Sequence, residues 1–106
     1  GDSFSTTAWT SIDMSASFGA PALAIKAYYI RYVINDEGSD GTDCYIGLND
    51  TGSGGGIYAT CPGVSDLPGR GALIVPADSN GDIYYTITAS GADKFDCKLQ
   101  IWGYYI

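Results

Sequence analysis

Histidine is absent from the 106 residues, so neither a Ser-His-Asp nor a Cys-His nucleophile can be assembled. Zinc sites built on imidazole are excluded with them. Cys44, Cys61 and Cys97 lie far apart, with no CxxC pair among them, which is poor spacing for a metal or redox centre. They read as small buried hydrophobes. Cys44 and Cys61 stand at similar distances on either side of the glycine-rich segment 50–56. An antiparallel hairpin turning there would set them opposite one another, within reach of a disulfide in an oxidising compartment. Carboxylates are plentiful, but almost every aspartate falls in a Gly-rich turn, where its ordinary work is turn formation rather than glycoside cleavage. No GxxxxGK or GxGxxG opens a helix to cradle phosphate. The expectation is a protein that is not an enzyme.

Two loops carry the oxygen ligands that calcium prefers. One holds Asp36, Glu37, Asp40 and Asp43; the other is the DSNGD turn with Asp78, Asn80 and Asp82. Each includes a glycine that lets the backbone fold round a cation, although neither has the bidentate Glu that closes an EF-hand. A structural calcium is the one cofactor the sequence admits. The second candidate is aromatic. Eleven Trp and Tyr side chains exceed what one core needs, because each has a polar tip that wants water or a partner. Tyr28 and Tyr32 share one face of a strand, and sheet neighbours could bring Tyr45, Tyr58 or Tyr84 beside them as a row of rings for stacking sugars. Candidate ligand-binding residues are therefore Tyr28, Tyr32, Tyr58 and Tyr84. Asn49-Asp50-Thr51 matches a glycosylation sequon, which has meaning in a eukaryotic secretory pathway.

These groups must be positioned by strands. Ala22 to Ile34, ALAIKAYYIRYVI, is the longest β-favouring run. Each of its alternate faces is mostly apolar with one cation, the pattern of a central strand covered on both sides. FSTTAWTSIDM should supply one or two opening strands, and CYIGLN and GIYATC a hairpin about the glycine-rich turn. Pro62–Gly71 is turn chemistry throughout and long enough to carry the chain between sheets. ALIVPA is then a brief strand, and DSNGD a hairpin turn into DIYYTIT. The last strand, FDCKLQIWGYYI, puts Phe95, Cys97, Leu99 and Ile101 on one face and Asp96, Lys98 and Gln100 on the other. Seven or eight strands at roughly ten- to twelve-residue spacing, without a helix, indicate an all-β, two-layer antiparallel sandwich in a single domain. A jelly-roll topology comes first and an immunoglobulin-like sandwich second, since the cysteine and tryptophan spacing of antibody domains is missing.

The formal net charge of −7 repels polyphosphate, so no nucleic-acid partner is expected. Nor is a membrane partner, because no apolar run approaches the ~20 residues of a spanning helix. The five cations, at 26, 31, 70, 94 and 98, form no cluster along the chain. Three stretches, AWTSIDMS, APALAIKAYYIRYVINDEGSDG and IVPADSNGDIYYTITASGADKFDCKLQIWGYYI, resemble β-sandwich modules of structural and appendage proteins in tailed bacteriophages and prophages. That class shares a Trp-Thr-x-Ile-Asp opening, a long strand running into an Asp-Gly-Ser loop, a Val-Pro-x-Asp-Ser turn and a Gly-Tyr close. The resemblance implies a virion or tail-fibre domain, often a homotrimer, that builds a spike beside a neighbouring virion protein or touches a host surface glycan. It carries over no functional residue, and the cysteines and the glycine-rich turn depart from it. The expected function is a non-enzymatic structural or surface-binding module, virion-borne or extracellular; the alternative is a carbohydrate-binding module using exposed aromatics, stabilised by calcium.

Overall fold

The computed structural model describes residues 3–38, 41 and 44–106. Seven strands and one short helix follow in the order β1 (Thr7–Ile12), α1 (Met14–Phe18), β2 (Ala27–Asp36), β3 (Cys44–Asn49), β4 (Ile57–Cys61), β5 (Gly69–Pro76), β6 (Ile83–Thr88) and β7 (Phe95–Tyr105). They form two antiparallel sheets, β1-β6-β3-β4 and β5-β2-β7. Pairing is nested: β3 with β4 inside β2 with β5, inside β1 with β6, and successive pairs alternate between the sheets. This is the wrapping of a jelly roll, with β7 added on the free side of β2. An immunoglobulin-like sandwich would pair β1 with β2 in one sheet; here they lie in different ones.

The inward face of each strand is read directly from the register. In β2 the even residues Tyr28, Ile30 and Ile34 are buried. They oppose Val75 and Leu73 on β5, and Ile101, Leu99 and Cys97 take the same side of β7. Ile46, Leu48, Ala59, Ile83 and Ile87 supply the facing layer. Cys44 and Cys61 are directly opposite one another across the β3–β4 hairpin, both buried, as their spacing about the turn required.

Four local expectations are corrected. A helix is present: Asp13 caps Met14–Phe18 by accepting from the Ala16 N–H at 3.0 Å and the Ser15 hydroxyl at 2.8 Å, and Gly19 closes it at φ +68°. The Ala16 amide first, then the Ser15 hydroxyl, hold the Asp13 carboxyl below its ordinary range. The central strand begins at Ala27 rather than Ala22, because i→i+2 bonds from Leu23 N–H to Pro21 O (2.8 Å) and Ile25 N–H to Leu23 O (2.9 Å) turn the chain before it. The 62–71 segment crosses between sheets, but its last three residues are already β5. A Cβ at Gly69 would stand 2.3 Å from the Thr60 carbonyl oxygen, so glycine lets β5 close against β4. Finally, β2 is covered on one face only: odd residues Tyr29, Arg31 and Val33 look outward.

Candidate functional site

The structure divides the aromatic set named from sequence. Tyr28 is 1% exposed, and its hydroxyl donates to the Gly81 carbonyl. Burial, then the Asp82 and Asp78 carboxylates, push that hydroxyl's pKa up. It is a core ring and offers no stacking face. Tyr32 is half-buried against the core on the same side. Tyr58 and Tyr84 do share an outward face, but on the other sheet, and there the rings lie down on glycines. A Cβ at Gly47 would meet Tyr58 Cε1 at 2.6 Å, and one at Gly52 would meet Tyr84 Cδ1 at 2.8 Å. Tyr45 meets Tyr58 edge-on, centroids 5.0 Å apart at 88°.

The oxygen ligands are also separated. Asp36, wholly buried, accepts from the Ser90 hydroxyl, the Ser90 N–H (3.0 Å), the Gly38 N–H (2.7 Å) and the Cys44 thiol. Its oxygens are filled by the protein, which fits a hydrogen-bond hub rather than a cation ligand. Asp40 and Asp43 lie outside the described residues. In the DSNGD turn, Asp78 accepts from the Asn80 and Asp82 amides at 2.8 and 3.0 Å, and Asp82 accepts from the Met14 N–H at 3.0 Å, completing the helix cap. Asn80 is exposed. Among the described residues, no three Asp, Glu or Cys side chains converge on a point a metal could occupy.

An accessible surface does form where the sequence reading did not place one, on the outer face of β5-β2-β7. Cross-strand rows run Pro76–Ala27–Tyr105, Ile74–Tyr29–Gly103, Ala72–Arg31–Gln100 and Arg70–Val33–Lys98. Between Gly103 and Ile101 the β7 register slips by one residue. Trp102 is the extra residue of this bulge, and it stands outward beside Arg31, whose Cζ lies 4.8 Å from the ring centroid. Trp102 is 61% exposed, Ile74 54% and Tyr105 51%. These side chains are more open than the seated tyrosines opposite. Gly103 leaves the backbone beside Trp102 open, since nothing lies within 4 Å of where its Cβ would be. The face thus grades from an apolar, ring-bearing half to a half bearing Arg31, Arg70 and Lys98. Its sequence signals were the Trp102-Gly103 dipeptide, a bulge cue, and the odd positions of β2.

A second concavity, of about 470 Å³, opens between the sheets on the side away from β4 and β5, lined by Phe4, Ile12, Tyr85, Ile87 and Leu99 together with Cys97. Burial pushes the Cys97 thiol up to about 11, so about one molecule in a thousand carries the thiolate at pH 8. Alkylation of Cys97 by iodoacetamide at that pH should be slower by about a hundredfold or more than that of a free cysteine, read by mass spectrometry of the folded protein. No helix among the described residues is long and apolar enough to cross a membrane.

Compared with models of known protein families, with curated proteins and with solved structures, the chain matches none.

Proposed function

We propose that this β-sandwich is a non-enzymatic surface-binding module whose contact face is the outer side of β5-β2-β7, and that it stacks saccharide rings there. The observation carrying this reading is the open aromatic end of that face. Trp102 is thrown outward by a bulge beside Tyr29, with open backbone at Gly103 next to it and Tyr105 exposed on the same strand. A ring carrying both a flat apolar body and a polar tip suits a ligand with alternating C–H faces and hydroxyls. Exposed aromatic and apolar side chains grouped on one sheet face mark a contact surface better than scattered ones do. The likeness of AWTSIDMS and the two longer stretches to phage appendage modules supports a virion or extracellular setting, in which copies assemble as a trimer beside neighbouring proteins.

Calorimetry of ligands selected on a glycan array tests the contact face. Trp102→Ala should weaken binding by about tenfold or more, as truncation of an anchoring aromatic does. Gly103→Leu should do the same by crowding the open surface beside Trp102, while unfolding midpoints stay close to the parent because the added side chain meets open space. Unchanged affinity in both variants overturns the assignment of this face.

A further inference from the structure

The chain holds five cations against twelve acids, yet three of the five converge on one face of one sheet. Arg70 and Lys98 flank Val33 in a single cross-strand row, and Arg31 is the next outward residue of β2. Together with Gln100 they wall a shallow basin of about 210 Å³. Among the described residues none of the three is held in an ion pair. Asp96, the nearest acid along the outward face of β7, accepts from the Ser3 N–H at 3.0 Å. Three neighbouring like charges repel and destabilise the sheet they sit on, as like charges across strands do. Arg31 also lies over the indole of Trp102, and a guanidinium stacked on a ring keeps its edge for parallel hydrogen bonds to a carboxylate.

Resting on the proposed function, we propose that the saccharide bound here is acidic: one of its rings stacks on Trp102 while a carboxylate it carries enters the Arg31–Arg70–Lys98 basin. The basin is smaller than the roughly 300–1,000 Å³ of a pocket that engulfs a ligand, so it takes a group projected from a longer chain. Charge complementarity selects the sign. A chain of net charge −7 repels polyanions in general, so an anionic ligand must be recognised by this local concentration of cations together with the rings beside it. Guanidinium groups match a carboxylate bidentately, and the adjacent rings distinguish a sugar acid from a bare polyanion.

Calorimetry with a galacturonate hexasaccharide, a sialylated trisaccharide and an unsulfated chondroitin oligosaccharide, each beside its neutral counterpart, methyl-esterified at every uronate or desialylated, decides the matter. At least one acidic probe should bind about tenfold more tightly than its neutral partner, and the preference should fade as NaCl rises from about 0.05 to about 0.5 M. The double variant Arg70→Ala/Lys98→Ala should lose that preference and keep the affinity for the neutral form, because it leaves Trp102 intact. Equal binding of acidic and neutral probes, with Trp102→Ala still weakening both, overturns the acidic specificity and leaves the contact face standing. Absence of binding by every probe overturns both. Equal affinity for an oligothymidylate shows recognition of charge alone and overturns the inference. So does self-association abolished by Arg70→Ala/Lys98→Ala, which would make the acidic surface of a second copy the occupant.

Discussion

Replacing Asp36 by alanine is expected to remove about 3 kcal/mol or more of folding stability, among the largest losses from any single side chain here. The carboxylate is the meeting point of four parts of the chain: the end of β2, the Gly38 turn after it, Cys44 at the start of β3, and Ser90 in the β6–β7 turn. Truncation would strand the Ser90 and Gly38 amides in a buried site, and orphaned donors cost more than the bonds contributed. Asp36→Asn, which keeps the shape and one acceptor oxygen, should cost less. Urea unfolding followed by tryptophan fluorescence measures both. The same residue sets a pH dependence. Burial alone would raise its pKa, but the Ser90 hydroxyl, the two amides and the Cys44 thiol outweigh burial and hold it below the ordinary value. Its folded-state pKa is therefore depressed. The stabilisation is present above the unfolded value of about 3.9 and is lost as pH falls through the folded one. The stability gap between the parent and Asp36→Asn should be widest near neutrality and shrink below about pH 4; a constant gap would show that the carboxylate's charge is irrelevant.

Ile30→Ala should cost about 3 to 4 kcal/mol, whereas Arg31→Ala, one residue on, should cost roughly 0.5 kcal/mol or less. Ile30 is fully buried at the middle of the central strand, paired with Leu73 and Ile101, and its removal leaves a cavity that two packed sheets cannot collapse around. Arg31 is exposed and touches Trp102 on the solvent side. Thermal unfolding monitored by circular dichroism separates the two. Similar losses at both positions would mean that β2 is covered on both faces.

That contrast also marks where sequence reasoning reaches its limit. The β3–β4 hairpin, β6 and β7 were legible because each alternates cleanly between turn-forming clusters. The Cys44–Cys61 register followed from counting residues about the glycine-rich turn. In β2 both faces are largely apolar, so alternation could not say which one the second sheet would cover. Even residues went inward, taking Tyr28 and Tyr32 into or against the core and leaving Tyr29 and Arg31 outside. The helix at Met14–Phe18 is too short to show a period; its signals were only Asp13 before it and Gly19 after it. Arg31, Arg70 and Lys98 are scattered in sequence and become neighbours only through the pairing of β5 and β7 on opposite sides of β2. The outward turn of Trp102 required a slip in register, and its trace in sequence is one glycine.

The contact face is tested most directly by backbone and indole chemical-shift mapping during titration with an array-selected saccharide. The indole N–H of Trp102 and the amides of Tyr29, Arg31, Gly103 and Tyr105 should move, while those of Tyr45, Tyr58 and Tyr84 stay still. Shifts confined to the β1-β6-β3-β4 face, with Trp102 unmoved at saturation, would contradict the account.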